Sequence, residues 1–293
     1  MDYKFRDNLI EKFFLLNGIV VIFILLGIFL ILVSNSLPAI SSVGVSEFLT
    51  SSRWNPTAYS GDNQYGILAK IVSTLMVTFG SMLIAVPLGV AAAAYLSEVA
   101  SSSVRSILKP ALEILASIPS VVIGFLAIVV FGPLIAETFN LPHGLNAVNG
   151  SIALAIMSLP TIISLSEDAM SSVPTEYRKA SLGLGANRWQ TLTRVTIPSS
   201  LSGIFAAVML GMGRAIGETM AVLMATGNAP RMPGSFFDSV QTMTATIAIE
   251  LGEVPYYTEH YHALFVIGLV LFIMTFIVNL ASDIILHRYR RGE

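Results

Sequence analysis

The hydrophobic positions of this chain fall into six long runs, each bounded by charged or polar residues. A helix needs about 20 apolar residues to cross the roughly 30 Å hydrocarbon layer of a bilayer. The runs of that length cover residues 13–33, 67–96, 107–131, 147–165, 197–225 and 263–286. The pattern therefore predicts an all-α integral membrane protein with six transmembrane helices. The first run is too long for a signal peptide and precedes no small-residue cleavage site, so we expect it to stay as an anchor.

The composition of the chain also indicates a membrane protein. Hydrophobic residues make up 54% of the 293 residues, charged residues make up 12%, and the mean hydropathy is +0.76. Soluble domains carry about 25% charged residues. The net charge of −2 lacks the basic excess that binding to a phosphate backbone requires, so we expect no nucleic-acid partner. The absence of cysteine excludes disulfides, thiolate metal sites and cysteine nucleophiles.

Basic side chains concentrate on one side of the six predicted spans. Short loops of membrane proteins carry more Lys and Arg on the cytoplasmic side. Arg53 and Arg231 fall on the opposite side. The concentrated residues are Lys4, Arg6, Lys12, Arg105, Lys109, Arg178, Lys179, Arg188, Arg194, Arg288, Arg290 and Arg291. We therefore expect both termini in the cytoplasm and the protein in the cell (inner) membrane.

Proline and glycine interrupt several of the predicted spans. These residues are Pro87, Pro110, Pro119, Pro160, Gly211, Gly213 and Gly217. Broken backbone is tolerated in a bilayer where protein or a water-lined cavity satisfies the freed polar groups. The cluster favours a bundle around a path, and ordinary helix kinks with small-residue packing are the alternative.

The long loop over residues 228–262, opposite the basic side, contains a helical pattern. Val240, Met243, Ile247 and Leu251 recur at helical spacing, which predicts a short amphipathic helix at the outer membrane interface. Such a helix would serve as a lid or docking surface, or would be a connector that rests on the membrane.

The most polar stretch of the chain, residues 171–196, separates the fourth and fifth predicted spans. Pro174 predicts a helix start, and Gly185 predicts a sharp break after that helix. Residues 188–195 can then form a second short helix before Pro198 opens the next span. Two short helices joined at glycine make a compact projection that a soluble cytoplasmic partner could grip.

This projection resembles the cytoplasmic signature of permease subunits of binding-protein-dependent ABC importers. The signature is Glu-Ala-Ala, three residues, Gly, nine residues, then Ile-x-Leu-Pro. The chain has Lys179-Ala180-Ser181, then Gly185, then Val195-Thr196-Ile197-Pro198, with both spacings kept. The resemblance implies an ATPase-coupling segment over residues 172–198, which includes Glu176, Arg178, Lys179, Ala180, Ser181, Gly185 and Pro198. Lys179 replaces the glutamate of the signature, and Glu176, one turn earlier, could substitute for it.

Further blocks narrow the resemblance to permeases of the PstC type from phosphate importers. They include residues 52–56 (SRWNP), 213–222 (GRAIGETMAV) and 244–248 (TATIA). The resemblance implies a MetI-like ABC importer permease fold, with residues 1–66 as an N-terminal helix and extracytoplasmic loop and residues 67–293 as a five-helix core. The sister PstA-type subunit, or a permease for sulfate or molybdate, is the alternative.

The resemblance also implies partners. A PstA-like second permease subunit would share the phosphate path, and a PstS-like extracytoplasmic protein would deliver phosphate. Two PstB-like ATP-binding subunits would hold ATP-Mg, and this chain would carry no cofactor. The chain contains no HExxH, GxSxG or GxxxxGK[ST] motif, so we expect that it is not an enzyme.

Two opposite charges lie inside the fifth predicted span. Arg214 and Glu218 are four residues apart, which places them on one face of a continuous helix. Each costs roughly 2.5–3.5 kcal/mol at a helix centre on insertion scales, so such residues normally mark a function. A guanidinium donates bidentate hydrogen bonds to phosphate at any relevant pH. We hypothesise that Arg214 contacts phosphate transiently and that Glu218 prevents tight binding; the alternative is a neutralising pair that tethers two helices.

Two other classes of protein compete with the importer. His260 and His262 beside Glu259 could indicate a metal site, but their i, i+2 spacing in an interfacial loop favours a solvated surface. A passive channel or structural subunit would need no ATPase, and the signature from residue 179 to residue 198 favours the importer over it.

Overall fold

The computed structural model describes residues 3–57 and 63–290, with side chains over residues 10–57 and 63–284. Among the basic residues that predict the topology, Arg291 lies outside the described residues. The side chains of Lys4, Arg6, Arg288 and Arg290 lie outside the described side chains.

The described residues are almost entirely helical. The helices are α1 (Tyr3–Val43), α2 (Val45–Thr50), α3 (Leu68–Ala94), α4 (Ser102–Ser117), α5 (Ser120–Leu126), α6 (Gly132–Thr138), α7 (Ala147–Ser171), α8 (Thr175–Gly183), α9 (Arg188–Thr191), α10 (Ile197–Ser199), α11 (Leu201–Gly217), α12 (Met220–Ala225), α13 (Met243–Glu250) and α14 (Glu259–Arg290). Turns of π-helix follow α3, α5 and α9 at Tyr95–Val99, Ala127–Phe131 and Leu192–Thr196. Strands β1 (Trp54–Asn55) and β2 (Gln64–Tyr65) pair antiparallel, with Trp54 opposite Tyr65.

Within the described ranges, five helical stretches are long and apolar enough to cross a membrane. They are Ile10–Val43, Leu68–Val99, Ser120–Thr138, Ala147–Ser171 and Glu259–Ile284. The bent pair Arg188–Ser199 and Leu201–Gly217 makes a sixth when the pair is counted as one span. The all-α class is therefore confirmed, and so are six spans when the bent pair is counted as one. The first, third and fifth spans differ most from the predicted bounds, and the first extends to Val43.

The third span was misplaced by the prediction of residues 107–131. Helix α4 ends at Ser117, and the apolar stretch that can cross the membrane runs over Ser120–Thr138. Ile118 has extended backbone, with φ −63° and ψ 127°, because Pro119 disfavours helical backbone in the residue before it. Helix α4 is amphipathic, and its apolar residues directly precede the span in the sequence. The two apolar stretches therefore looked like one run that began before the span itself.

The fifth span is broken twice rather than continuous over residues 197–225. The chain bends by 69° between Arg188–Ser199 and Leu201–Gly217. A second break follows at Glu218 and Thr219, before α12. The side-chain hydroxyl of Thr244 donates to the carbonyl of Glu218 at 2.7 Å, so a buried side chain replaces one backbone hydrogen bond that the break removes.

The predicted short helix in the loop over residues 228–262 is confirmed as α13, but its first half does not rest on the outer surface. Its first four residues, Met243–Thr246, are buried. The Thr242 hydroxyl caps the helix by accepting from the Ala245 amide at 3.2 Å, and the Met243 amide donates to the Thr74 hydroxyl of α3 at 3.0 Å. The first half of α13 is thus packed into the bundle, whereas Ala248 and Ile249 in its second half are exposed.

The centre of the bundle depends on close packing of α3, α7 and α11. Ile162 of α7 is fully buried. A Cβ atom added to Gly89 of α3 would lie 2.7 Å from Ile162 Cγ2, and one added to Gly211 of α11 would lie 2.9 Å from Ile162 Cγ1. Small residues let helix backbones approach closely in membrane proteins, so these two glycines set the spacing of three helices.

The two ends of the bundle carry different groups. We call the end with α8 and α9 the α8 end, and the end with the β-hairpin and α13 the α13 end. Arg105 and Lys109 of α4 pair with Glu167 at the α8 end, where Arg178 also lies. Arg53 lies beside the hairpin at the α13 end. The basic residues predicted for the cytoplasmic side and Arg53, predicted for the opposite side, therefore lie at opposite ends of the bundle.

Replacing Gly89 by Val should destabilise the protein by about 1–3 kcal/mol, because overpacking forces helices apart. The measurement is the midpoint of thermal unfolding of the purified protein in detergent. Gly18→Val is the matched control, since nothing lies within 4 Å of a Cβ at Gly18. Equal midpoints for the two variants would contradict the close packing.

Candidate functional site: a polar cavity and the coupling segment

A charged cavity lies beside the last turn of α11. Arg214 lines a cavity of about 360 Å³ together with Thr161, Leu210, Gly213 and Asn279. These residues come from α7, α11 and α14. The side chain of Arg214 is exposed on the single chain, and among the described residues it forms no ion pair. The arrangement presents a guanidinium, a hydroxyl and an amide to one space within the spans.

Glu218 does not share a helical face with Arg214, contrary to the sequence prediction. Helix α11 ends at Gly217, and Glu218 has extended backbone, with φ −68° and ψ 134°. The Glu218 carboxylate accepts from the amide of Ala221 at 3.3 Å, at the start of α12. The predicted i, i+4 geometry is wrong because the helix breaks between the two residues, and the described residues show no tether between them.

A second cavity continues from the first toward the α8 end. It has a volume of about 480 Å³ and shares Thr161 and Leu210 with the cavity at Arg214. Its charged lining residues are Lys109, Glu113, Glu167 and Asp168. Two adjacent cavities, each with at least one charged residue on its lining, therefore lie between Arg214 and the end of the bundle that carries most of the basic loops.

A buried carboxylate at the α8 end was not singled out from the sequence. Glu167 of α7 is fully buried and forms ion pairs with Arg105 and with Lys109, whose Nζ lies 2.5 Å from Glu167 Oε2. The hydroxyl of Ser171 donates to the same carboxylate at 2.8 Å. The hydrogen bond from Lys109 to Glu167 raises the pKa of Lys109 above its ordinary value, so its ammonium stays charged. Two consecutive acidic residues, Glu167 and Asp168, at the end of an apolar run were the available signal.

The coupling segment has the predicted helix, break and helix. Helix α8 begins at Thr175 after Pro174, and Gly185 has φ +88°, a left-handed backbone that favours glycine. Asn187 and Gln190 form a reciprocal capping box at the start of α9, which fixes the second helix immediately after the break. The bend into the fifth span comes at Ser200, just beyond Pro198.

The predicted coupling residues divide into an outward and an inward set. The exposed residues are Glu176, Lys179, Ala180, Gly185 and Pro198. Arg178 points inward, where Nη2 donates to the carbonyl of Met170 at 2.7 Å and Nε lies 3.0 Å from Glu98 Oε1. The hydroxyl of Ser181 contacts that of Thr191 at 3.0 Å. Arg178 therefore holds the segment to the bundle, and Ser181 joins α8 to α9 within the segment.

Large apolar side chains are exposed on the same segment. Leu184 is 90% exposed, Trp189 is 69% exposed and Tyr177 is 56% exposed. They lie on the segment between the fourth span and Leu201–Gly217, and large exposed apolar side chains are typical of interaction surfaces. We call Tyr177, Leu184 and Trp189 the coupling surface.

The histidines of the α13 end form hydrogen bonds within the chain. His260 Nε2 lies 2.7 Å from Glu250 Oε2, and His262 Nδ1 lies 2.7 Å from the carbonyl of Asn35. The described residues contain no group of three or more His, Cys, Asp or Glu side chains that could hold a metal ion. Nearby, burial raises the pKa of Tyr65. This end of the chain is a network of polar contacts between α1, the hairpin, α13 and α14.

The sequence over residues 85–291 matches a family described as "Binding-protein-dependent transport system inner membrane component". The chain belongs to this family. It is therefore a multi-pass inner-membrane permease component of an ABC importer, and its relatives are membrane permeases rather than ATPases.

Curated relatives agree with the family and with the PstC resemblance. The probable ABC transporter permease protein YqgH of Bacillus subtilis is 42% identical and covers 81% of this chain and 76% of its own length. The phosphate transport system permease protein PstC of Mesorhizobium japonicum is 35% identical and covers 93% of this chain and 90% of its own length. PstC of Haemophilus influenzae is 31% identical, and the alignment covers 98% of this chain and 95% of the relative. The predicted resemblance to PstC-type permeases is confirmed.

Solved structures confirm the fold. An inward-facing MetNI methionine ABC transporter aligns with a TM-score of 0.60 at 18% identity, covering 76% of this chain and 95% of that chain. A bacterial alginate ABC transporter in complex with an alginate-bound periplasmic protein aligns with a TM-score of 0.65 at 16% identity. The alignment covers 98% of this chain and 95% of that chain. The family member described here thus has the predicted MetI-like permease fold.

Proposed function

We propose that this chain forms the phosphate path of an ATP-driven importer together with a second permease subunit. The observation that carries the proposal is Arg214, an exposed guanidinium within the spans that lines a cavity with Thr161 and Asn279. Relatives named as phosphate transport permeases over most of the chain support phosphate as the substrate.

The α8 end faces the cytoplasm in this proposal. The basic residues of α4, α8 and α9 lie there, and such residues favour the cytoplasmic side. Helix α1 runs toward the α13 end, since the Ser42 hydroxyl near its end donates to Glu259 at 2.6 Å, and α14 runs back from Glu259. Both termini are then cytoplasmic, and the hairpin and α13 face the side from which a binding protein delivers phosphate.

A second permease subunit covers the Arg214 face. A guanidinium facing lipid is unfavourable, so intramembrane arginines face other protein or a wet cavity. Nothing lies within 4 Å of a Cβ at Gly217, three residues after Arg214, whereas one at Gly213 would face Asn279 of α14 in the same chain. A neighbouring helix can therefore approach α11 closely next to Arg214. The path is formed at this junction of two subunits.

Phosphate binding and release follow from the charges along the two cavities. Arg214 offers bidentate donors to a phosphate oxyanion, whereas Glu218 lies beyond the helix break and lines neither of the two cavities. Toward the α8 end the charged lining residues are Lys109 and the carboxylates of Glu113, Glu167 and Asp168, so the lining carries more negative than positive charge and repels an anion. A path must bind weakly enough to release, and this sequence of charges favours a transient contact followed by exit.

Two ATP-binding subunits dock at the α8 end and close on ATP-Mg, which they hold and this chain does not. The coupling surface supplies apolar contact, and Glu176, Lys179 and Ala180 lie exposed beside it. Glu176 replaces the signature glutamate lost at Lys179. A PstS-like binding protein docks at the α13 end, and the second permease is PstA-like.

Replacing Arg214 by Gln should lower phosphate uptake by about tenfold or more, since a hydrogen-bonded charge contact is worth more than about 1.4 kcal/mol. Arg214→Lys should retain part of the uptake, because lysine keeps the positive charge but cannot donate the bidentate pair of hydrogen bonds that a guanidinium donates. The measurement is labelled phosphate uptake into vesicles that contain the assembled transporter, with binding-protein-stimulated ATP hydrolysis measured alongside.

Lys12→Gln is the control, because Lys12 is exposed on α1 and lines neither of the two cavities. Full uptake by Arg214→Gln at normal assembly would refute the role of Arg214. Transport of sulfate or molybdate in place of phosphate would show that the substrate is another oxyanion.

Replacing Trp189 by Ser should reduce recovery of the ATP-binding subunits in affinity purification by about tenfold, because exposed Trp side chains are frequent energetic centres of interfaces. Tyr256→Ser is the control, since Tyr256 is 76% exposed at the α13 end. Undiminished recovery with Trp189→Ser would place the docking surface elsewhere.

A further inference from the structure

Two helices, α4 and α7, meet at one buried carboxylate at the α8 end. Glu167, in the penultimate turn of α7, is fully buried, and its partners Arg105 and Lys109 both belong to α4. Ser171 of α7 donates to the carboxylate and accepts from Arg105 Nη2 at 3.2 Å. A buried carboxylate deprived of its partners would be left uncompensated, so α4 and the end of α7 are held as one body.

Arg178 connects α8 to the same turn of α7. Its Nη2 donates to the carbonyl of Met170, the residue immediately before Ser171. Its Nε pairs with Glu98 in the π-helical turn that ends the second span. The contacts therefore run without interruption from α8 through Arg178 to the last turn of α7, and from Glu167 to α4.

Helix α4 ends at a break in the backbone on its other side. Ile118 and Pro119 interrupt the helix between α4 and α5, and Pro119 leaves no backbone N–H to bridge the gap. The described residues of α4 include none that are buried. Leu112 and Ala116 of α4 line the cavity that lies between Arg214 and the α8 end.

We propose that Glu167 and Arg178 are positioning residues that make α4 move with the coupling segment. Displacement of α8 by the ATP-binding subunits is transmitted through Arg178 to the end of α7 and through Glu167 to α4. Helix α4 then pivots at Ile118 and Pro119 and opens or narrows the cavity below Arg214. This inference rests on the proposed docking of ATP-binding subunits at α8.

Distance measurements between spin labels test the movement directly. The chain has 0 cysteines, so introduced cysteines are the only label sites on it. Ser106→Cys with Ser172→Cys reports α4 against the end of α7, and Ser106→Cys with Val129→Cys reports α4 against the span beyond Pro119. All three positions are exposed, and the assembled transporter in lipid vesicles is compared at rest and trapped with vanadate and ATP.

We expect the first distance to stay the same in the two states and the second to change. Glu167→Gln should broaden the first distance, because the amide cannot hold both cations. An unchanged second distance, or a first distance that Glu167→Gln leaves narrow, would overturn the proposal.

Transport stoichiometry gives an independent readout. Glu167→Gln should raise the ATP hydrolysed per phosphate imported by about fivefold or more, the lower range of coupling between sites, while the ATP-binding subunits still co-purify. Glu11→Gln, an exposed carboxylate on α1 near the same end, is the control and should leave the ratio unchanged. An unchanged ratio with Glu167→Gln would also overturn the proposal.

A second variant covers the case in which Glu167→Gln does not assemble. The Lys109 side chain is 36% exposed, so Lys109→Gln leaves Arg105 and Ser171 on the buried carboxylate. Lys109→Gln should also raise the ATP hydrolysed per phosphate imported and broaden the distance between the labels at positions 106 and 172. Wild-type values for both would refute the proposal. If the ATP-binding subunits do not dock at the coupling surface, Trp189→Ser will leave their co-purification intact. This result separates an error in the proposed docking from an error in the proposed movement of α4.

Discussion

The constraint that organises this chain is the absence of water inside a bilayer. Each polar group in a span needs a partner in the protein or a wet cavity. Glu167 meets this need within the chain through two cations and a hydroxyl, and the carbonyl of Glu218 meets it through Thr244. Arg214 forms no ion pair among the described residues and lines the cavity proposed as the phosphate path. The polar contacts that the chain makes within itself hold its helices together.

Breaks in the helices place the functional groups. The bend at Ser200 turns the coupling segment out of the bundle, and the end of α11 at Gly217 moves Glu218 off the face of Arg214. The break at Pro119 separates α4 from the span that follows it. Each break occurs next to a cavity or a proposed docking surface. A bundle of straight helices with the same composition would have none of these features.

Sequence reasoning predicted what depends on neighbouring residues. Runs of apolar residues indicated six spans, and Pro174 with Gly185 indicated the two helices of the coupling segment. It failed at residues 107–131 because hydrophobicity alone does not distinguish the apolar face of α4 from a span. It also missed Glu167, whose partner Arg105 is 62 positions away. Contacts between distant segments leave no periodic signal, so the inward role of Arg178 was invisible as well.

The seating of Ile162 between Gly89 and Gly211 has a consequence for how this protein can change over evolution. Volume at the centre of the bundle is shared by three positions on three helices. A larger residue at either glycine has space only if position 162 becomes smaller, and a smaller residue at 162 leaves a void that both neighbours border. Divergence at these positions therefore has to proceed by compensated pairs or triplets, so the core of the permease drifts more slowly than its lipid-facing surface.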